Sequence, residues 1–183
     1  MRISANEAII KANKLVNKYR TRNADRLAEE LGVIVKPIPF KNQKGVYKVI
    51  ERNRFIFIKD DLDPVMHNIV LLHELGHDSL HRKQAVTTGG FQEFNIFNMQ
   101  NNRMEYEANL FTAQVSLQDD EILEYIKMGY DVAQIASAMY SDINLVALKI
   151  SELNNRGYRL KRPSQILCKP PIWCRIEAPY WRF

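Results

Sequence analysis

The first thirty residues carry apolar side chains at helical spacing. A capping-box sequence, Ser4-Ala-Asn-Glu7, predicts the start of an amphipathic helix. Its apolar stripe consists of Ile9, Ala12, Leu15, Val16 and Tyr19. Asn23 is a suitable N-cap for a second, shorter helix, and Gly32 is a suitable residue to end it. Two short helices are therefore expected before the first strand.

The next thirty residues change to the pattern of strands. Residues 33–38 predict a strand, and Pro37 puts it at a sheet edge or at a strand end, because proline cannot donate a ladder hydrogen bond. Residues 46–50 and 55–58 predict a β-hairpin around the polar turn at Glu51-Arg-Asn. We expect a small sheet of about three strands.

From Asp63 onward the pattern is again helical. Asp63-Pro64 supplies an N-cap and then a proline at the first helical position, so a helix is expected from there to about His81. Residues 82–102, which include two adjacent glycines, predict a loop or an irregular segment. Four more helices are expected near residues 103–115, 119–128, 132–139 and 144–153. The pattern as a whole indicates an α+β fold, mostly helical, with the sheet preceding the helix that begins at Asp63-Pro64.

Length and charge divide the chain into a body and a tail. The 183 residues suit one domain, which we expect to span residues 1–154, with 118–154 as a helical, helix-turn-helix-like part. The tail, residues 155–183, holds seven basic residues and one acid, although the net charge of the whole chain is only +5. The body is therefore close to neutral, and the basic, aromatic and proline-rich tail is not expected to be regular.

Three features favour a cytoplasmic protein. The first residues contain no apolar segment followed by a small-residue cleavage site, so no signal peptide is expected. The apolar runs are much shorter than the roughly 18 residues that a membrane span needs. Cys168 and Cys174 are expected to be reduced thiols, and because their spacing matches no common zinc module they receive no role.

The spacing of the four histidines indicates a metal-binding site. All four lie between positions 67 and 81, and His73 and His77 are one helical turn apart, so both can bind one ion. Glu74 completes the pattern H-E-x-x-H. Neutral imidazoles are good zinc ligands, and a neighbouring carboxylate can take the proton of a zinc-activated water that attacks a carbonyl. The pattern predicts a zinc peptidase site with Glu74 as general base, although the leucines around it also suit an ordinary core helix.

A third ligand is expected from another segment, because catalytic zinc sites have three protein ligands and an open position. The longer metzincin pattern is excluded, since it needs a histidine where the chain has Lys83. Glu105 and Glu107 flank the apolar stripe of the helix predicted near 103–115 at similar angles, and the helical wheel does not choose between them. Asn109 lies one turn after Glu105 and can hydrogen-bond the ligands, so we favour Glu105.

The two motifs together resemble a known family. His73-Glu-Leu-Gly-His77-Asp-Ser-Leu-His81, followed by Glu105-Tyr-Glu-Ala-Asn-Leu-Phe-Thr-Ala, is closely similar to the ImmA/IrrE metallo-endopeptidases, whose pattern is HELGHxxxH and then E-x-x-A-[ND]-x-F-A-A. The resemblance covers about residues 24–117 and implies a zincin-like fold of the gluzincin kind, a zinc ion, and Glu105 as third ligand. The chain departs from the pattern at Thr112 and at Gln114-Val-Ser-Leu-Gln, where the family has alanine and then an apolar run with proline.

The resemblance also implies a partner. Members of the family look like intracellular regulatory proteases that inactivate helix-turn-helix repressors of mobile elements or stress-response genes. The expected activity is therefore hydrolysis of a peptide bond in such a protein.

A second interpretation is a non-catalytic regulator that binds DNA or a protein. Residues 131–150 look like a helix-turn-helix, but the second helix offers few cations to phosphates, which favours structural packing. The aromatic side chains of the tail would suit stacking on single-stranded nucleic acid, although docking on the body or on an acidic partner is favoured. Such a regulator would need Arg159, Lys161 and Arg162 but not Glu74.

Overall fold

The computed structural model describes residues 5–88, 91–93 and 103–160. The helices in these ranges are α1 (Ala5–Tyr19), α2 (Ala24–Leu31), α3 (Pro64–Thr88), α4 (Arg103–Ser116), α5 (Asp119–Lys127), α6 (Val132–Ala138) and α7 (Ile143–Asn155). The strands are β1 (Ile34–Ile38), β2 (Gly45–Ile50), β3 (Asn53–Lys59) and β4 (Phe91–Glu93). The predicted α+β class, mostly helical with a small sheet, is confirmed.

The sheet is mixed, with the strand order β1-β3-β2-β4. The predicted hairpin is β2 and β3, joined by a turn at Glu51 and Arg52, whose φ angles of 49° and 68° match the twist of a two-residue hairpin. β1 runs parallel to β3 and lies at the edge that Pro37 predicts. The three strands expected before α3 are thus present, and α3 packs against β2 and β3.

The loop predicted for residues 82–102 is wrong at residues 82–88 and 91–93. The helix that begins at Pro64 breaks at its predicted end, His81, where φ is −122° and ψ is 16°, and a second helical segment continues α3 to Thr88. The buried Ala85 continues the apolar stripe beyond the kink, so this part of α3 keeps its contact with the core. Residues 91–93 form β4 against β2, a pairing between distant segments that local sequence does not reveal. The rest of the predicted loop, residues 89–90 and 94–102, lies outside the described residues.

The predicted helix caps within the described residues are present. The Asn23 side chain accepts a hydrogen bond from the Arg26 amide, and Gly32 ends α2 with φ at 66°. Asp63 Oδ1 accepts from the Met66 amide at 3.0 Å, which fixes the start of α3. The predicted cap of α1 at Ser4 and the tail beyond residue 160 lie outside the described residues.

The helix-turn-helix-like segment is part of the core. Every residue of α7 from Leu145 to Leu153 is buried, and α7 packs against both α4 and α6. A recognition helix must expose one face to a groove, so this burial agrees with the structural-packing interpretation of residues 131–150. Among the described residues, no helix is both long enough and apolar enough to cross a membrane.

Candidate metal centre

Three side chains from α3 and α4 bring one ligand atom each to a common point. His73 Nε2 lies 3.0 Å from His77 Nε2 and 3.0 Å from Glu105 Oε2. His77 Nε2 and Glu105 Oε2 are 3.3 Å apart. The two histidines are buried and Glu105 is nearly so, which makes the group a candidate metal site.

The spacing of these atoms suits a small divalent cation. Zinc holds nitrogen and oxygen ligands at about 2.0–2.1 Å in a tetrahedron, which puts neighbouring ligand atoms about 3.3–3.4 Å apart. The observed separations of 3.0–3.3 Å are within a few tenths of an ångström of that value. Two imidazole nitrogens and one carboxylate oxygen are also the donor set of gluzincin-type sites. The residues therefore fit the ion that the motifs predict.

Asn109 fixes the tautomer of His73. Its Oδ1 lies 3.0 Å from His73 Nδ1, and an amide oxygen can only accept, so Nδ1 donates. A neutral imidazole that donates from Nδ1 carries its lone pair on Nε2, the atom that faces His77 and Glu105. Asn109, predicted to support the ligands from one turn after Glu105, thus bonds to a histidine.

The protonation states favour cation binding. Burial lowers the pKa of His77 to about 4, against the opposing effect of the Glu105 carboxylate. Burial acts to raise the pKa of Glu105, but the close contacts with His73 and His77 outweigh it and leave that pKa far below its usual range. At neutral pH, His77 is therefore neutral and Glu105 is charged, which are the forms that bind a metal ion.

Glu74 lies in a recess beside the backbone of β2. Its side chain is fully buried, and a Cβ atom placed on Gly45 would lie only 2.5 Å from Glu74 Oε1 and 2.9 Å from Val70 Cγ1. Any larger residue at position 45 would occupy the space of the carboxylate. Gly45 is a site residue that the sequence interpretation missed, although a glycine at the start of a strand is a known signal of close approach.

A second glycine allows α3 and α4 to approach closely. A Cβ atom on Gly76 would lie 3.2 Å from Ala108 Cα and 3.3 Å from Phe111 Cδ1. The small residues at positions 76 and 108 belong to the two sequence motifs, one to each. Their contact explains how Glu105, one turn before Ala108, comes within reach of the histidines.

The two glutamates of α4 have separate partners. Glu107, the alternative third ligand, lies with Oε2 3.0 Å from His81 Nε2 and with Oε1 2.7 Å from Arg103 Nε. The structure thus brings Glu105 to His73 and His77, and Glu107 to His81. The fourth histidine, His67, has its Nε2 3.2 Å from Asp25 Oδ1 near the surface.

Asp78 ties the motif helix to the sheet. Its buried carboxylate accepts hydrogen bonds from the Tyr47 hydroxyl at 2.8 Å, from Arg54 Nη1 at 2.9 Å and from Arg82 at 3.1 and 3.2 Å. Burial and the neighbouring Asp78 raise the pKa of Tyr47 above its usual range, so its hydroxyl remains a donor. The sequence interpretation missed this group because its members come from three elements, β2, β3 and α3.

The departures from the family pattern are accommodated by hydrogen bonds. Thr112 donates to the carbonyl of Ala108 at 2.9 Å. Gln114 donates to Asn13 at 2.9 Å and accepts from Lys149 at 2.5 Å. These polar side chains are therefore satisfied within the packing of α4.

Comparison with known proteins agrees with the geometry. Residues 28–151 match the family model for the IrrE N-terminal-like domain, Peptidase_M78. The chain is also 32% identical over 151 residues to "Uncharacterized immunity region protein 2" of Bacillus phage phi105, a match that covers 80% of this chain and 93% of that protein. The matched residues contain both motifs and every residue of the candidate centre, and the chain belongs to the IrrE N-terminal-like family of metallopeptidases, Peptidase_M78.

Proposed function

We propose that this protein is a zinc-dependent endopeptidase that cleaves an intracellular protein such as a helix-turn-helix repressor. His73, His77 and Glu105 would hold the ion, and Glu74 would act as general base. The observation that supports this most directly is the convergence of His73 Nε2, His77 Nε2 and Glu105 Oε2 within 3.0–3.3 Å. Membership of a metallopeptidase family supports the same chemistry.

Each residue of the site has a separate role in the proposed reaction. When bound, a zinc ion supplies Lewis-acid polarisation of the scissile carbonyl and makes the attacking water more acidic. Glu74 takes the proton of that water and passes it to the leaving amine. Gly45 leaves room for the carboxylate of Glu74 beside β2, and Asn109 keeps Nε2 of His73 directed to the ligand cluster.

The substrate class rests on relatives. One relative is named for the immunity region of a phage, and the ImmA/IrrE resemblance implies regulatory proteolysis of repressors. We therefore place the activity in the cytoplasm, with a repressor encoded near the gene of this protein as the first substrate to test. We also propose that residues 1–154 act as one peptidase domain, since α7 packs on α4, and that residues 155–183 are a separate tail.

Metal analysis and proteolysis of matched variants test the proposal. The purified protein should hold about one zinc per chain, and His73→Ala or Glu105→Gln should lose it. Glu74→Gln should keep the zinc but lose cleavage of the repressor, because only the proton acceptor is removed. Cleavage by Glu74→Gln at the wild-type rate would refute the assignment of the base, and zinc retained by Glu105→Gln would refute the ligand set.

The same proteins test the DNA-binding alternative. The burial of α7 removes its structural basis in the helix-turn-helix-like segment. The basic tail remains as a candidate contact, and binding through it would be salt-sensitive and would need Arg159, Lys161 and Arg162. A mobility-shift assay at low salt with Glu74→Gln separates the two: a shift without proteolysis by the wild type would favour the regulator.

A further inference from the structure

The second ring nitrogen of His77 faces another histidine. His77 Nδ1 lies 3.1 Å from His81 Nδ1, and His81 Nε2 lies 3.0 Å from Glu107 Oε2. All three residues are buried, with exposed fractions of 1% for each histidine and 3% for the glutamate. Arg103, whose side chain is 54% exposed, pairs with the other oxygen of Glu107 at 2.7 Å. These contacts form a chain that leads from the candidate metal centre to the surface of α4.

The direction of the hydrogen bonds in this chain is set by its carboxylate. An ionised Glu107 can only accept, so Nε2 of His81 must donate to it. Neutral His81 then carries a lone pair on Nδ1, and the proton between the two rings must belong to Nδ1 of His77. His77 consequently carries its lone pair on Nε2, which faces His73 and Glu105.

The opposite direction would work against metal binding. If Nδ1 of His81 carried the proton, Nδ1 of His77 would have to accept it. Nε2 of His77 would then carry a proton directed at the other two ligand atoms. For a neutral His81, an ionised Glu107 excludes this arrangement, because such a carboxylate can only accept from Nε2 and so requires the single ring proton there.

We propose that His81 and Glu107 are positioning residues for metal binding: together they fix the tautomer and the ring orientation of the ligand His77. The inference rests on the ligand set of the proposed function and deepens it. Neither residue is one of the three proposed ligands, and both act through His77. Asn109 fixes the tautomer of His73 by a direct hydrogen bond, whereas Glu107 acts on His77 through the imidazole of His81. Orienting partners of this kind typically change metal affinity by about 10- to 100-fold when they are removed.

A purely structural role would tie α3 to α4 without any effect on the metal, and two variants separate the roles. His81→Leu keeps apolar bulk but removes the acceptor for His77, so we expect zinc binding about 10- to 100-fold weaker in a chelator competition with the full chain. His81→Asn places an amide oxygen near the position of Nδ1 and should restore most of the affinity. Equal zinc affinity in wild type and His81→Leu would overturn the proposal, as would equal losses in both variants.

Glu107→Gln tests the direction of the hydrogen bonds. An amide can either accept from His81 or donate to it, so the direction is no longer imposed. We expect weaker zinc binding than in wild type, and a change in the visible absorption of the cobalt-loaded protein, since the geometry of one ligand is altered. Affinity and absorption unchanged from wild type would overturn the role of Glu107.

Nitrogen NMR of the histidines makes the result independent of catalysis. In the metal-free chain that carries both Glu105→Ala and His73→Leu, neither the Glu105 carboxylate nor Nε2 of His73 competes for a proton on Nε2 of His77, so the tautomer of His77 reports the contact with His81. We expect the proton on Nδ1 of His77, and its loss from that nitrogen when His81→Leu is added. A proton on Nε2 of His77 in the first chain would refute the inference. If the wild type bound no zinc while Nδ1 of His77 was protonated, the proposed function would fail and the hydrogen-bond direction would stand.

Discussion

Replacing Gly45 with alanine tests the position of Glu74 without touching any proposed metal ligand. A Cβ atom at position 45 would lie 2.5 Å from Glu74 Oε1, 3.1 Å from its Cδ and 2.9 Å from Val70 Cγ1. Contacts of Cβ atoms below 3.0 Å are essentially never seen, so the carboxylate must move by at least about 0.5 Å. Glu74 is fully buried and cannot swing out into water.

The two effects of this substitution have different sizes. Overpacking of a buried site costs typically about 1–3 kcal/mol of folding free energy. A misplacement of catalytic groups of about 1 Å lowers the rate by about 100-fold, so we expect kcat/KM to fall by about 10- to 100-fold. The zinc content should stay at the wild-type level, because the three heavy atoms nearest to the added methyl group belong to Glu74 and Val70, and none to a proposed ligand.

The assay combines kcat/KM on the candidate repressor with zinc content and urea unfolding. Gly129→Ala is the matched control: its Cβ meets nothing within 4 Å, but its φ of +84° costs an alanine about 1–2 kcal/mol. The control should lose comparable stability and keep its activity. Wild-type kcat/KM in a folded, zinc-loaded Gly45→Ala protein would refute the reasoning that this carboxylate needs the space beside Gly45 and takes part in the reaction.

Three further expectations follow from the packing and the charges. Gly76→Ala adds a methyl 3.2 Å from Ala108 Cα, so α3 and α4 must separate by a few tenths of an ångström. Zinc affinity should therefore fall, although alanine favours a helix by about 1 kcal/mol relative to glycine. Unchanged zinc affinity in chelator competition would contradict this. Burial lowers the pKa of Lys149 from 10.5 to about 8, so the unfolded chain binds more protons between these values and stability should rise from pH 8 to pH 10.5. The unfolding free energy of the metal-free wild type minus that of Lys149→Met should therefore increase over this range, and a flat difference would contradict the shift. Free zinc at 100 times its Kd should stabilise the fold by about 2.7 kcal/mol and raise Tm by roughly 5–10 °C, with no such shift for His77→Ala.

The parts of the fold that sequence predicts are those set by neighbouring residues. Asn23 and Asp63 cap α2 and α3 as their local patterns indicate, because a cap depends on amides only two or three residues away. The two imidazoles of the HExxH motif lie together because helical geometry places them one turn apart. The choice between Glu105 and Glu107 as third ligand does not follow from the helical wheel, because both flank the same apolar stripe of α4. Only the packing of α4 on α3 gives them different partners.

What sequence did not reveal depends on contacts between distant segments. β4 pairs with β2 across the whole of α3, and three residues in a glycine-containing segment carry no strand pattern strong enough to predict it. Asp78 stands beside a predicted ligand and gives no sign of its buried contacts, because Tyr47 and Arg54 come from the hairpin. The kink at His81 does not coincide with a proline or a glycine, the residues that usually cause kinks, although it lies where the helix leaves the metal centre.

Gln114 shows why the residues beyond the motifs belong to the same folding unit. The family pattern has an apolar run here, whereas Gln114 is 6% exposed and its oxygen accepts from Lys149, 1% exposed, on α7. A buried ammonium costs several kcal/mol unless it is paired, and Lys149 Nζ also lies 2.5 Å from Asp119. Gln114→Leu alone would remove one of these acceptors, and Lys149→Met alone would leave a buried amide oxygen without its donor. Each single variant should therefore lose more than half of the unfolding free energy that the double variant loses. The double variant should recover part of the loss, because two apolar side chains can then pack where two polar ones did. A coupling near zero between positions 114 and 149 in urea unfolding would refute the inference that this polar pair links α7 to α4 energetically.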